Sequence, residues 1–154
     1  MQPERIPLDD WRKGGDTRFR FRGHPIFTRK GGDADAPALL LVHGFPTASW
    51  DWAALWSALA RTHRVVALDL LGFGFSAKPR GHAYSVVEQA ALCESLLRDL
   101  GLREYRVLAH DLGDSVAQEL LARRIDGGDR PRLDGVVFLN GGLFPETHRP
   151  VLVQ

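Results

Sequence analysis

Predominantly apolar runs alternate with amphipathic stretches along most of the chain. Such runs are typical of strands buried on both faces of a parallel sheet, and they occupy residues 38–42, 64–70, 105–109 and 133–139. Between them, apolar residues at helical spacing predict helices over residues 50–61, 86–100 and 113–124. This alternation predicts an α/β fold with a mostly parallel sheet and helices on both faces.

The segment before the first buried run has a different pattern. Residues 1–16 are rich in glycine and charge and are interpreted as a polar leader, with residues 17–154 forming one core domain. Polar and aromatic residues alternate over 17–22, a turn follows at Gly23, and residues 26–29 are expected to form the second strand. This arrangement predicts an antiparallel hairpin.

Serines mark the expected starts of two helices. Ser49 is expected to act as the N-cap of the helix over residues 50–61, because its hydroxyl can accept a free backbone N–H. Ser85, with Glu88 three residues later, has the spacing of a capping box at the start of the next helix.

Composition narrows the function classes. With 44% hydrophobic and 25% charged residues, the chain has the balance of an ordinary globular domain. The 20 basic and 19 acidic residues leave a net charge of +1, which argues against nucleic acid or an anionic membrane as a partner. No apolar stretch approaches the roughly 20 residues of a membrane span. Cys93, the only cysteine, is expected to be a core thiol, and a cytoplasmic location is expected.

The strongest chemical signal lies where the third buried run meets the following helix. Asp111 has small residues two positions to either side, Ala109 and Gly113. A sharp strand-to-helix turn with small neighbours holds a nucleophile outward from the sheet. The positive end of the following helix favours an ionised carboxylate, which can attack a saturated carbon and leave an ester on Asp111.

Hydrolysis of that ester would develop an oxyanion, and two backbone donors are in position to meet it. They are the N–H of Leu112, directly after the nucleophile, and the N–H of Phe45, in the loop after the first buried strand. Water activated by a histidine would complete the reaction. The expected substrate is a small apolar molecule, and the chemistry needs no metal or cofactor.

Three ordered motifs resemble those of α/β-hydrolases of the epoxide hydrolase and haloalkane dehalogenase type. They are His43-Gly44-Phe45-Pro46, the segment from Asp69 to Pro79 with sequence DLLGFGFSAKP, and His110-Asp111-Leu112-Gly113. The segments from His110 to Leu121 and from Asn140 to Pro150 resemble more narrowly the mesoderm-specific transcript branch of this family.

The resemblance implies the α/β-hydrolase fold, ending after its sixth strand at residues 133–139, without the cap and the C-terminal strands. In this family the charge-relay acid and the histidine follow the nucleophile, so both are expected beyond residue 154, in a C-terminal half that would be a partner of this chain. Haloalkane dehalogenases usually hold the halide with Asn and Trp side chains where Phe45 and Leu112 stand here. Epoxide opening is therefore favoured over dehalogenation.

Further residues and alternatives surround this interpretation. Four residues are candidates for lining a substrate pocket: His43, Phe73, Phe75 and His110. Asp69 and Ser76 are expected to pin the long loop between them by hydrogen bonds. Ser115 lies in a pattern that imitates a serine elbow, as in esterases, and residues 72–77 imitate a dinucleotide-binding loop. A non-catalytic binding protein that keeps the hydrolase shell is the remaining alternative.

Overall fold

A computed structural model describes residues 5–141 of the chain. These residues form one mixed six-stranded sheet, a separate two-stranded hairpin and surrounding helices. The strands are β1 (Gly15–Asp16), β2 (Arg20–Phe21), β3 (His24–Pro25), β4 (Thr28–Gly31), β5 (Ala38–Val42), β6 (Arg64–Leu68), β7 (Glu104–His110) and β8 (Arg132–Leu139). The α-helices are α1 (Leu8–Lys13), α2 (Trp56–Leu59), α3 (Val86–Asp99) and α4 (Leu112–Asp126).

The large sheet has the strand order β1-β4-β6-β5-β7-β8. β5, β6, β7 and β8 are parallel to their neighbours within this group, whereas β1 and β4 join antiparallel at one edge. The prediction of a mostly parallel sheet is confirmed. None of the helices formed by residues 5–141 combines the length and the apolar character needed to cross a membrane.

Both faces of the sheet are covered, and the central strand β5 shows why. Its five residues are all buried. Leu40 and Val42 pack into the cluster that contains α3 and α4, while Leu39 and Leu41 pack into a second cluster with Trp11, Trp52 and Trp56. Because successive strand side chains point to opposite faces, an unbroken apolar run is what a strand between two layers requires.

The start of the chain differs from the expected polar leader. Residues 8–13 form α1, whose Trp11 is fully buried and donates its indole N–H to the Ser49 hydroxyl at 3.1 Å. Gly15 and Asp16 then form β1, the edge strand beside β4. A single large apolar residue on a short polar helix is enough to anchor the segment, and average composition does not reveal it.

The expected hairpin is present but shorter than predicted. Only β2 and β3 pair, with Arg20 opposite Pro25 and Phe21 opposite His24. The following residues form β4, which leaves the hairpin and pairs with β6 in the large sheet. The sequence pattern located these strands correctly but assigned the second one to the wrong partner.

The helix predicted over residues 50–61 was wrong as a continuous α-helix. Residues 49–54 form a 3₁₀ helix, and α2 adds a single α-helical turn. Ser49 is not the N-cap, because Ala48 holds that position without a side-chain bond. The Ser49 hydroxyl instead accepts the Trp11 indole N–H, so tertiary packing takes the group that capping would need.

The start of α3 is half of the expected capping box. The Ser85 hydroxyl accepts the Glu88 backbone N–H at 3.1 Å, as predicted. The Glu88 carboxylate does not reach back, because it contacts Arg22 at 2.9 Å and His82 at 2.6 Å. Glu88 therefore ties the hairpin and the long loop to the first turn of α3.

Candidate active site

Asp111 lies at the turn between β7 and α4, in a backbone conformation that favours glycine. Its φ of 53° and ψ of −113° are unusual for a residue with a side chain. Such strain persists where the surrounding structure imposes it and is common at active sites. A glycine is required two residues later, at Gly113, since a Cβ atom there would collide with the carbonyl oxygen of Val42 on β5. The elbow is thus pressed directly onto the central strand.

The Asp111 carboxylate is held by two backbone donors through one of its oxygens. Oδ1 accepts the N–H of Phe45 at 2.7 Å and the N–H of Leu112 at 2.6 Å. Within residues 5–141, Oδ2 makes no hydrogen bond. The two donors that sequence reasoning selected therefore converge on one point, and the carboxylate keeps one oxygen available for another role.

Strand register explains why residues 66 positions apart meet here. β5 and β7 are adjacent and parallel, with Val42 paired to Ala109. The chain leaves both strands at the same edge of the sheet, so the loop carrying Phe45 and the elbow carrying Asp111 emerge side by side. Ligand sites in open α/β sheets occur at this carboxyl edge.

His43 does not line a pocket, which corrects the expectation for this residue. Its side chain is fully buried, with Nε2 accepting the Leu70 N–H at 3.0 Å and Nδ1 2.8 Å from the Gly44 carbonyl oxygen. Because Nε2 accepts, the proton is on Nδ1 and the ring is neutral. Burial lowers the pKa of His43, in agreement with this neutral form. His43 joins the loops that follow β5 and β6.

Asp69 and Ser76 pin the long loop, as predicted. Asp69 is fully buried, and its carboxylate accepts the N–H of Ser49 at 2.8 Å and of Phe75 at 2.6 Å. The Ser76 hydroxyl donates to the Asp69 carbonyl at 2.6 Å and accepts the Phe27 N–H at 2.9 Å. These bonds fix the loop against the segment that supplies the Phe45 donor.

The aromatic candidates separate into two locations. The Phe45 side chain is 66% exposed, and its ring centroid lies 6.1 Å from that of Phe73 in an edge-to-face arrangement. The ring centroid of Phe75 instead lies 5.2 Å from that of Phe27, and Phe75 lines a groove with Trp11 and Trp50. Phe45 and Phe73 thus form an apolar wall beside the elbow, whereas Phe75 belongs to the layer around the tryptophans.

His110 is the last residue of β7 and directly precedes the nucleophile candidate. It is partly buried and pairs in register with Leu139 of β8. A Cβ atom on Gly44 would lie 3.1 Å from its Nδ1. The side chain therefore lies at the elbow, next to the Gly44 backbone, and its pocket-lining role stays a prediction.

Two rival motifs are not supported by their positions. Ser115 lies inside α4, in its first turns, and so does not occupy a strand-to-helix elbow. Residues 72–77 form turns, and the next helix along the chain, α3, begins only at Val86. A dinucleotide-binding loop would lead directly into a helix. The serine-esterase and dinucleotide interpretations both lose the local structure on which they depend.

Asp114 is a residue that sequence reasoning missed. It is 1% exposed, in the first turn of α4, and its Oδ1 accepts the Leu139 N–H at 3.3 Å. Burial raises the pKa of this carboxyl, and the Leu139 N–H and His110 partly oppose that effect. A second carboxylate three residues after Asp111, on the same side of a helix, was the signal available in the sequence.

Comparison with known proteins identifies the family. A family model described as alpha/beta hydrolase fold matches residues 37–152. The mesoderm-specific transcript protein of Mus musculus is 50% identical over 96% of this chain and 45% of its own length. Haloalkane dehalogenase 2 of Mycobacterium bovis is 34% identical over 73% of this chain and 38% of its own length.

A solved structure agrees with these sequence matches. The crystal structure of an alpha/beta hydrolase fold protein from Burkholderia ambifaria superimposes with a TM-score of 0.75 at 33% identity, over 96% of this chain and 49% of that one. The chain spans about half the length of the curated relatives it matches. The elbow, the strand order and these matches agree, and the chain belongs to the α/β-hydrolase fold family.

Proposed function

We propose that this chain carries the nucleophile and the oxyanion hole of a hydrolase that works through a covalent ester on Asp111, with an epoxide on a small apolar molecule as the substrate. The observation that carries the proposal is the difference in hydrogen bonding between the two oxygens of the Asp111 carboxylate. Oδ1 is held by the Phe45 and Leu112 N–H groups, while Oδ2 makes no hydrogen bond within residues 5–141.

In the first half-reaction, Oδ2 attacks one ring carbon of the epoxide. The new bond joins Oδ2 to carbon, the bond from that carbon to the ring oxygen breaks, and the ring oxygen takes the electron pair and then a proton from solvent water. The product is a hydroxyalkyl ester of Asp111. This step needs an ionised carboxylate held in place and no prior deprotonation by a base.

In the second half-reaction, water attacks Cγ of Asp111 after giving a proton to a general base. The carbonyl oxygen, Oδ1, becomes the oxyanion, and it already lies at its two donors. The Cγ–Oδ2 bond then breaks, Oδ2 takes the proton from the base and leaves as a hydroxyl of the diol, and the oxygen of water remains in the carboxyl group, which releases its own proton to solvent. Donors that are oriented before the charge develops need no reorganisation during the reaction.

The surroundings favour an epoxide over an alkyl halide. The side chains of Phe45 and Leu112 contain no hydrogen-bond donor for a departing halide ion, and Phe45 with Phe73 presents an apolar wall. An epoxide retains its leaving oxygen as part of the product, so it does not need a separate halide site.

The first half-reaction can be tested by intact mass spectrometry. Incubation with styrene oxide is expected to add the full mass of one epoxide, and peptide mapping should locate the adduct on Asp111 as a hydroxylamine-sensitive ester. Asp111→Asn keeps the shape but is a much weaker nucleophile, so the adduct should disappear. Ser115→Ala is the matched control for the esterase alternative and should label normally.

Each outcome has a distinct meaning. An adduct that survives in Asp111→Asn, or that maps elsewhere, removes Asp111 as the nucleophile. Reversible binding of the epoxide without any adduct supports the non-catalytic binding protein instead. Faster labelling by 1-bromobutane than by styrene oxide would replace the epoxide with a halide substrate.

A further inference from the structure

Asp111 and Asp114 hold the same residue of β8 from two sides. The Asp111 N–H donates to the Leu139 carbonyl oxygen at 3.1 Å, and the Leu139 N–H donates to Asp114 Oδ1 at 3.3 Å. Leu139 is the last residue of β8 and pairs in register with His110. The nucleophile and the end of β8 are thereby joined through one residue.

The Asp114 side chain adds a second acceptor at the last ladder bonds between β7 and β8. In the parallel register that pairs His110 with Leu139, the Leu139 carbonyl accepts the Asp111 N–H, and the Leu139 N–H faces the Ala109 carbonyl. Asp114 Oδ1, at 3.3 Å, shares that N–H from the side of α4. The carboxyl group therefore ties the first turn of α4 to the end of β8.

The opposite oxygen of Asp114 is packed against the chain beyond β8. Oδ2 is buried, and the Gly141 N–H lies close enough to the carboxyl group to lower its pKa. A Cβ atom on Gly141 would collide with this oxygen, so the glycine backbone lies directly against it. Asn140, between Leu139 and Gly141, has a φ of 58°. The carboxyl group therefore shapes the sharp turn at the end of β8.

We propose that Asp114 is a positioning residue for the reaction of Asp111, holding the end of β8 against the elbow. This role rests on the proposed function, since it is defined by the nucleophile that the clamp orients. Through the two bonds to Leu139, a shift of the β8 end moves the Asp111 backbone. The Oδ1 contacts with the oxyanion donors then move as well.

The Asp114 carboxyl is under opposing influences. Burial raises its pKa and the Asp111 charge acts in the same direction, whereas the Leu139 N–H, His110 and the Gly141 N–H lower it. The positioning role rests on the contacts of the carboxyl group with the end of β8, not on its protonation state.

Labelling rates of Asp111 by styrene oxide provide the first test. Asp114→Asn keeps the shape and an oxygen that can accept the Leu139 N–H, so it should label within about twofold of the wild type. Asp114→Ala should slow labelling by about tenfold or more, because a misplaced nucleophile reacts slowly. Asp126→Ala, an exposed carboxylate on the same helix, is the matched control and should leave the rate unchanged. Equal rates in Asp114→Ala and the wild type would overturn the proposal.

Amide hydrogen exchange separates this proposal from the proposed function. Asp114→Ala should accelerate exchange of the Leu139 N–H, and Asp114→Asn should retain its protection. Absence of any adduct on wild-type Asp111 would end the proposed function, and the positioning role with it. Normal labelling together with unchanged Leu139 exchange in Asp114→Ala would end the positioning role alone.

Discussion

Gly44 packs against the side chain of Asp111 so closely that no other residue fits without movement. A Cβ atom on Gly44 would lie 2.7 Å from Cβ and 3.0 Å from Oδ1 of Asp111. Gly44 also precedes Phe45, whose N–H meets that same Oδ1 at 2.7 Å. The spacing between the Asp111 carboxylate and the Phe45 N–H therefore depends on the absence of a side chain at residue 44.

Gly44→Ala is expected to slow labelling of Asp111 by about tenfold or more, because the added methyl group displaces the carboxylate from the Phe45 N–H. Labelling kinetics by mass spectrometry measure this effect. Gly135→Ala in β8 is the control, since a Cβ atom there has no neighbour within 4 Å. Equal rates in the two variants would show that the close contact has no role in placing Asp111.

Asp69→Asn is expected to destabilise the protein. The carboxylate accepts two buried N–H groups, from Ser49 and Phe75, and an amide leaves one of them facing its own NH₂ group. A buried unpaired donor costs about 1–3 kcal/mol, which should appear as a lower urea midpoint. Asp129→Asn, in an exposed loop, should unfold like the wild type. An unchanged midpoint for Asp69→Asn would remove Asp69 as the pin of the long loop.

Trp11→Ala should lower the free energy of unfolding by about 3–5 kcal/mol, the usual cost of deleting a buried tryptophan side chain. Trp11 is fully buried and also donates to Ser49. Leu8→Ala, at a residue 44% exposed on the same helix, should cost far less. Chemical denaturation of the two variants makes the comparison. Similar small losses would mean that residues 8–13 are peripheral to the core.

Stability should fall as the pH drops through the ordinary titration range of His43. Burial lowers its pKa from the ordinary 6.5. In this pH range His43 therefore binds a proton in the unfolded state but stays neutral in the folded state. The unfolded state then binds more protons, and the free energy of unfolding decreases between about pH 7.5 and pH 5.5. Urea unfolding at several pH values measures the slope.

His43→Gln carries no titrating ring and should show a shallower slope over that range. A comparison at about pH 8, where histidine is neutral in both states, isolates the packing and hydrogen-bond cost of the substitution from its pH effect. Parallel curves for wild type and variant would show that His43 contributes nothing to the pH dependence.

The sequence was sufficient for the parallel part of the sheet, for α3 and α4, and for the meeting of Asp111 with Phe45 and Leu112. These features follow from local signals: unbroken apolar runs, helical spacing and small residues around a tight turn. Parallel neighbours then bring the ends of β5 and β7 together without any further information.

Features that depend on distant contacts could not be read from local pattern. Two such features are the burial of Trp11 and the loss of Ser49 as an N-cap, because the Ser49 hydroxyl accepts the Trp11 indole N–H. The burial of His43 requires the Leu70 N–H from another loop. The contact between Asp114 and the Leu139 N–H can be recognised only when β8 is placed beside the elbow.

Both donors at Asp111 Oδ1 are peptide groups, and the register of β5 and β7 sets where they lie. A substitution at Phe45 or Leu112 changes the side chain but leaves the amide hydrogen in place, with proline as the one exception. Substitutions at these two positions can therefore change the side chains beside Asp111 while both N–H donors stay in place. Under the proposed function, substrate selectivity could change at Phe45 and Leu112 without loss of the two donors.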